Sequence, residues 1–361
     1  MQNIATLTGL RGWAALMVLI YHAWQTAGAP EWWGQAQYWL AAGYTGVDLF
    51  FVLSGFLLGV PLIEALRRVG LRQALARFWQ RRLRRVLPAY GFQVLLLSAL
   101  LCVSADAAAP GWRSLLTHLT LTFNLIPYQA QPLNGVYWSL PVEWNYYLVL
   151  PLLACAVLRL GWGRTAVAVL LLVLGFRWAC YSTVWELPPS GWLSWWAGSI
   201  HQLPARLDQF VLGMLAAHLH QRCAGLAHER IFLQALAGLW LCSYWLGSRG
   251  DGFSRVDVPL VFVQFTALGL LYAALCLGAA GSGRWARWLC ANPLMLQLGT
   301  ISYSLYLWHY PILHWQRHWT WLHDLGPLLS VTLTAMIILA VSALSYRWLE
   351  RPFLPQAASS R

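Results

Sequence analysis

An arginine and a histidine lie eleven positions apart in the first apolar segment of the chain, at Arg11 and His22. At 1.5 Å per residue they would be separated by about 16 Å along a helix axis. Eleven steps of about 100° come close to three full turns, so both side chains would share one face. A neutral imidazole at that depth can remove a proton from an alcohol or a thiol. A pair that merely hydrogen-bonds to neighbouring helices would have the same spacing, so spacing alone leaves both interpretations open.

Two carboxylates also lie inside apolar segments, Asp48 in the stretch 46–56 and Glu143 in the stretch 138–147. Ionisable groups at membrane depth are costly, so each is expected to be paired, to face a cavity or to function. Asp48 could hold His22 or an arginine in place. Glu143 could orient His22, bind hydroxyl groups of a substrate or pair with an arginine.

A basic run covers residues 81–85, in which four of five side chains are arginine, and Pro88 follows it. Guanidinium forks match phosphate oxygens, so a nucleotide-bearing molecule such as coenzyme A would bind well here. Anchoring to anionic lipid is the alternative interpretation of a bare arginine run.

The elements that must position these residues are helices in a bilayer. Hydrophobic residues make up 59% of the 361 and charged residues 10%, against roughly 45–50% and 25% in soluble domains. This composition excludes a soluble globular enzyme and a disordered chain. It predicts an all-α bundle of about ten transmembrane helices. The predicted spans are 6–26, 39–63, 86–104, 136–157, 165–183, 204–221, 231–248, 257–278, 293–316 and 327–348.

The arginines predict the orientation of this bundle. The net charge is +12, and with both termini in the cytoplasm 17 arginines fall on the inside and four outside, as the positive-inside rule requires. The four outside are Arg113, Arg249, Arg255 and Arg317. Such an excess sets topology more often than it binds nucleic acid, so we expect no nucleic-acid partner.

The remaining features argue for one membrane domain over 1–353 with a short cytoplasmic tail at 354–361. The seven cysteines are scattered without a C-x-x-C pair, which favours small hydrophobic side chains over disulfides or a metal site. The first segment lacks a cleavage-site pattern, which favours a retained span. The segment 112–132 is only moderately apolar and is predicted to be an interfacial or re-entrant helix outside.

Six patches in order along the chain resemble the acyltransferase 3 family of integral membrane acyltransferases. They cover Arg11 to His22, Gly46 to Gly59, the R-x-x-R pair with Pro88, Trp138 to Pro151, Ile301 to Pro311, and Tyr346 to Phe353. Because they extend over nearly the whole chain, the match is specific.

The resemblance implies transfer of an acyl group, usually acetyl, from cytoplasmic acyl-coenzyme A to a hydroxyl of an envelope polysaccharide, glycolipid or small molecule. It implies that His22 is catalytic, that Arg11, Arg82 and Arg85 handle the donor, and that the protein lies in a bacterial inner membrane. We assign Asp48 and Glu143 to the catalytic residues as orienting groups, and expect acyl-coenzyme A as donor substrate and no metal.

The chain departs from the family pattern after Glu143, where Trp144-Asn145-Tyr146-Tyr147 replaces a second acid or Gln followed by Phe-Tyr. Many relatives also carry a C-terminal extracytoplasmic hydrolase-like domain that the 361 residues do not include. Transfer is then expected to be completed within the bundle or by a separate extracytoplasmic partner.

Tryptophans in the predicted outer loops form either an interfacial belt or a carbohydrate-binding wall. Trp195 and Trp196 follow Pro188-Pro189, and we assign them, with His309, to the acceptor side. A transporter or flippase of lipid-linked sugars is the competing function, although no inverted repeat supports it. A non-catalytic assembly factor is the third. The sequence leaves the acceptor and the acyl chain length open.

Overall fold

The structure, a computed structural model, is helical almost throughout the residues that it describes. The described residues are 5–28, 31–103, 110–125, 133–186, 198–223, 225–249, 258–316, 319 and 326–354. No strand occurs among them.

The α-helices follow one another with short connections. They are α1 Ala5–Thr26, α2 Gln37–Ala41, α3 Gly46–Val69, α4 Leu71–Val103, α5 Trp112–Leu119, α6 Ser139–Leu160, α7 Trp162–Glu186, α8 Leu203–Arg222, α9 His228–Ser248, α10 Val258–Ala280, α11 Arg284–Cys290, α12 Pro293–Thr300, α13 Ser302–Gln316 and α14 Pro327–Ser345. A π-helical turn, Tyr346–Glu350, extends α14, and a 3-10 turn, Arg351–Phe353, follows it.

Seven helical segments among the described residues are long and apolar enough to cross a membrane. They coincide with seven of the ten predicted spans, which confirms an all-α membrane fold. The other three predicted spans correspond to α1, α8 and the pair α12–α13. The first two contain ionisable residues, and α13 is 15 residues long. The count of ten and the cytoplasmic termini therefore stay predictions.

Large apolar side chains point away from the protein on several of these helices. Leu152 on α6, Leu171 and Trp178 on α7, and Leu241 on α9 are each more than 60% exposed. Contiguous apolar surface of this kind is unusual on a soluble monomer. A surrounding bilayer covers such surface, in agreement with the composition.

The predicted outer segment 112–132 contains a short helix. Its eight-residue helix α5 is about 12 Å long, too short to cross a bilayer. Residues 126–132 lie outside the described part of the chain.

The chain divides into two compact units, Met1–Glu64 with Ser139–Ser302 and Ala65–Trp138 with Tyr303–Arg361. The first unit has a continuous apolar core that includes Leu10, Leu49, Phe56 and Leu268. The prediction of one domain over 1–353 stays a prediction, and residues 355–361 of the tail lie outside the described residues.

A proline organises the interior of the second unit. Pro311 lies inside α13 and has no N–H to donate to the carbonyl of Leu307, four residues earlier. That carbonyl instead accepts hydrogen bonds from Gln93 Nε2, at 2.9 Å, and from Asn134 Nδ2, at 3.0 Å. Two side-chain amides thus satisfy a buried backbone group that the proline leaves open.

Candidate active site

The face of α1 that carries Arg11 and His22 is turned toward the protein. Ala15 and Val18 lie between them on the same face and are 2% and 1% exposed. Arg11 and His22 themselves are half-buried. The predicted shared face is therefore a protein-covered face, and lipid does not cover its centre.

Close helix contacts hold α1 in this orientation. A Cβ atom on Gly9 would lie 1.6 Å from the carbonyl oxygen of Cys290, and one on Gly46 would lie 2.5 Å from that of Ala14. Only glycine allows backbones to approach so closely. The first contact packs α1 on the end of α11, and the second packs the start of α3 on α1.

The ring of His22 is oriented by its own helix. Its Nδ1 lies 3.0 Å from the carbonyl oxygen of Val18. Because a carbonyl only accepts, Nδ1 carries the proton of the neutral ring, and Nε2 is then the basic nitrogen. The ring of Tyr21 packs edge-on against the imidazole, with 5.0 Å between centroids.

Asp48 lies at the start of α3 and bonds to α8. Its Oδ1 accepts from Arg206 Nη1 at 2.7 Å and from Gln209 Nε2 at 2.6 Å. The Arg206 guanidinium also lies over the ring of Phe265, 3.3 Å from its centroid. The sequence left open whether Asp48 holds His22 or an arginine, and the structure has the arginine. A catalytic role for Asp48 stays a prediction.

A second buried ion pair lies in the same unit. Arg177 Nη2 donates to both carboxylate oxygens of Asp208, at 3.0 and 2.9 Å. Thr266 Oγ1 donates to Asp208 at 2.5 Å and accepts from Arg177 Nη1 at 2.8 Å. Each of these intramembrane arginines therefore has a carboxylate partner, as the cost of burying a lone charge requires.

Glu143 has hydroxyl partners and no arginine among the described residues. Its Oε1 accepts from Ser54 Oγ at 2.5 Å and from Tyr147 OH at 2.6 Å. Both donors use the same oxygen, and the side chain is half-buried. Of the roles left open by the sequence, pairing with an arginine is not found in the described residues, so orienting His22 and binding hydroxyl groups remain.

The basic run belongs to the middle of α4 and is not a loop before a span. Arg82 and Arg85 are half-buried, whereas Arg81 and Arg84 are exposed. Arg85 Nη1 lies 2.6 Å from Glu350 Oε2, and Ser304 Oγ hydrogen-bonds to Glu350 Oε1. Three of the sequence patches, from α4, α13 and the π-turn, thus meet within the second unit.

The residues assigned to the acceptor side are only partly described. His309 is fully buried in α13, and its Nδ1 donates to the carbonyl of Leu305 at 3.0 Å. Trp195 and Trp196 lie outside the described residues. Among the residues that are described, no cluster of three or more His, Cys, Asp or Glu could hold a metal ion.

The sequence gave no role to Ser54, Tyr147, Ser304 or Glu350. Tyr147 follows Glu143 by four residues, a spacing that puts both on one helix face and could have suggested their contact. Ser54 and Ser304 are distant in sequence from the acids that they bond, and no local pattern predicts such pairs. Glu350 is a lone acid among arginines near the end of an apolar helix, which could have marked it as a partner for one of them.

Comparison with known proteins assigns the family. The model of the acyltransferase domain of the acyltransferase 3 family matches residues 4–347. The chain belongs to the acyltransferase 3 family. Its membership accounts for the order of the six sequence patches.

Several relatives of this family member carry names. The O-acetyltransferase OatA of Staphylococcus aureus (strain NCTC 8325 / PS 47) is 24% identical over 96% of this chain and 56% of its own length. "Putative O-acetyltransferase SACOL0978" of Staphylococcus aureus (strain COL) is 26% identical over 98% of this chain and 58% of its own length. The chain thus spans slightly more than half the length of these curated relatives. No solved structure matches it.

Proposed function

We propose that the protein is a multi-pass membrane O-acyltransferase of a bacterial inner membrane. It moves an acyl group, acetyl in the first instance, from cytoplasmic acyl-coenzyme A to a hydroxyl of an envelope polysaccharide, glycolipid or similar carbohydrate. The observation that carries this proposal is the neutral tautomer of His22, held by Val18 O on a protein-covered face shared with Arg11. The family supplies the class of reaction.

His22 acts as general base in this scheme. Nε2 takes the proton of the acceptor hydroxyl while the hydroxyl oxygen attacks the thioester carbonyl carbon. A C–O bond forms and the C–S bond breaks, and the coenzyme A thiolate leaves and recovers the proton from Nε2. The bond from Nδ1 to Val18 keeps the ring in the tautomer that this step needs.

Glu143 binds or orients in this scheme rather than acting as the base. Ser54 and Tyr147 both occupy Oε1, so Oε2 is the oxygen on which the Glu143 carboxylate would accept from an acceptor hydroxyl or from His22. Ser54→Ala and Tyr147→Phe each remove one donor and are expected to lower turnover less than Glu143→Gln does.

The arginines handle the donor. Arg82 and Arg85 take phosphate groups of coenzyme A, and Arg11 lies along the path of the acyl chain. The half-buried position of Arg82 and Arg85, against the exposure of Arg81 and Arg84, supports two different tasks for the two faces of the run. The exposed pair suits anionic lipid headgroups.

On the acceptor side we propose that Trp195, Trp196 and His309 bind the carbohydrate. An indole face suits the apolar face of a sugar ring. Replacing both tryptophans with leucine keeps apolar bulk for the membrane and removes the indole faces. Transfer to the native glycan should then fall while donor hydrolysis by water persists. Equal loss of both activities, or of neither, would leave an interfacial belt as the role of these residues.

The deciding experiment measures thiol release from acetyl-coenzyme A by the purified full-length protein in lipid nanodiscs. Release above that of His22→Ala supports an acyltransferase. A transporter or an assembly factor would leave the donor intact in both proteins. Mass spectrometry of envelope glycans and lipids from cells with and without the protein would then identify the acceptor, and would show whether a separate extracytoplasmic partner is required.

A further inference from the structure

A fully buried carboxylate holds one of the two half-buried arginines of α4. Glu350 has no exposed side-chain surface, whereas 16% of the Arg85 side chain is exposed. Their closest atoms, Oε2 and Nη1, are 2.6 Å apart. Placing a charge at a fully buried site is costly, so this acid is retained there only with its partner in place. The pair is therefore asymmetric, with a fixed acid and a partly accessible base.

The π-turn gives Glu350 this position. In the turn Tyr346–Glu350 the N–H of Arg351 bonds to the carbonyl of Tyr346, five residues back. The flanking side chains Arg347 and Arg351 are exposed, and Glu350 alone of the three points inward. Single π-turns inside α-helices occur most often at functional sites.

Two further contacts restrict the pair. Ser304 bonds to Oε1 of Glu350 and also lies 2.9 Å from Ser345 Oγ. The ring of Tyr303 lies 5.8 Å from Arg85 Cζ, and its hydroxyl donates to the carbonyl of Val86. The carboxylate is fixed by the serine, and the guanidinium lies between the carboxylate and an aromatic ring.

We propose that Glu350 is a positioning residue that orients Arg85 to bind a phosphate group of the acyl donor. A guanidinium has five N–H donors, and the ion pair engages Nη1, so one carboxylate does not saturate it. An arginine that is already ordered loses less conformational freedom when a phosphate binds. This inference rests on the proposed function and specifies how its donor site is held.

The sign of the effect separates positioning from plain electrostatics. An acid beside Arg85 offsets positive charge, so electrostatics alone predicts that an anionic donor binds more tightly once Glu350 is neutral. Positioning predicts the reverse, because the guanidinium then samples several rotamers. A role limited to folding predicts no change in donor affinity in the folded fraction.

The test measures binding of coenzyme A to the full-length protein in nanodiscs by calorimetry. We expect Glu350→Gln to weaken binding about tenfold, the loss of about one charge-assisted contact, and Glu350→Asp to recover part of it. In turnover, KM for acetyl-coenzyme A should rise with little change in kcat. Glu64→Gln is the matched control, since Glu64 accepts from Gln221 at an exposed site, and it should bind like the wild type. Unchanged or tighter binding by Glu350→Gln would overturn the inference.

A double-variant cycle tests whether Glu350 acts through Arg85. Arg85→Ala alone and Arg85→Ala with Glu350→Gln should have the same affinity, whereas independent effects would add and contradict the proposal. If Glu350→Gln does not fold, Ser304→Ala decides, because it leaves both charges and frees one carboxylate oxygen. It should weaken coenzyme A binding, and wild-type affinity would reject positioning. Failure of the wild type to bind coenzyme A at all would instead reject the proposed function.

Discussion

Asp48 and Arg206 form a buried ion pair in the first unit, with 2.7 Å between Oδ1 and Nη1. Arg206 Nε also donates to the carbonyl of Ile200 at 2.9 Å, and Gln209 shares the same carboxylate oxygen. The pair therefore joins the start of α3 to α8 and to the residues before it. Asp48 is adjacent in sequence to the Gly46 contact with α1, so the same helix start bears on the orientation of the His22 face.

Arg206→Ala should destabilise the protein strongly, because it leaves the Asp48 carboxylate buried without a counter-charge. Breaking a buried pair in this way costs about 3–5 kcal/mol. The measurement is the thermal midpoint of the purified protein in one detergent. Asp48→Asn combined with Arg206→Gln should recover most of the loss, and Glu64→Gln should be neutral. A double variant less stable than Arg206→Ala would contradict the pairing argument.

Pro311 and Asn134 should show coupled effects on stability. Asn134→Ala leaves the Leu307 carbonyl with one side-chain donor instead of two, a change expected to cost about 1–3 kcal/mol. In a Pro311→Ala background the helix N–H is restored, so the same substitution should cost about 1 kcal/mol less. Denaturation of the four proteins gives the coupling. Strictly additive effects would show that the proline does not create the need for the amides.

Acid should destabilise the second unit through His118. Burial lowers the pKa of this imidazole below its usual value, and the bond from Nδ1 to Ser114 O opposes the shift. Nε2 accepts from the N–H of Leu133, so the neutral form is the one bonded. Because the folded pKa is the lower one, the unfolded chain binds more protons. This contribution is complete above about pH 6.5 and is lost as the pH falls toward the folded value, by at most about 1.4 kcal/mol per unit.

The check compares thermal midpoints at pH 7.5 and 5. His118→Gln should reduce the acid-induced drop, and His314→Gln, at an exposed side chain, should leave it as in the wild type. An undiminished drop in His118→Gln would assign the acid sensitivity to other groups.

The helices could be predicted where their length equals that of an apolar run. For α1, α6 and α9 the predicted bounds fall within a few residues of the structure. The prediction placed the start of the third span at residue 86, but α4 begins at Leu71. Charge ends a hydropathy window without ending a helix, since arginine, leucine and glutamine are good helix formers.

The site was predictable only in its residue types. The stripe of Arg11 and His22 follows from helix geometry, and the structure confirms that they share a face. The partners of the buried charges are a different matter, because Asp48 and Arg206 are 158 residues apart and either buried acid of that unit could have paired with either arginine. Only the packing of α3, α7 and α8 decides which pairs form.

The central claim is that His22 is the general base of acyl transfer. The measurement is the steady-state rate of thiol release from acetyl-coenzyme A, with acceptor present, by wild-type and His22→Ala proteins matched for thermal midpoint and coenzyme A affinity. Loss of a positioned base typically lowers the rate 10²–10⁴-fold, and the account predicts a fall in that range with donor binding unchanged. A folded His22→Ala protein that keeps more than about a tenth of the wild-type rate would contradict it.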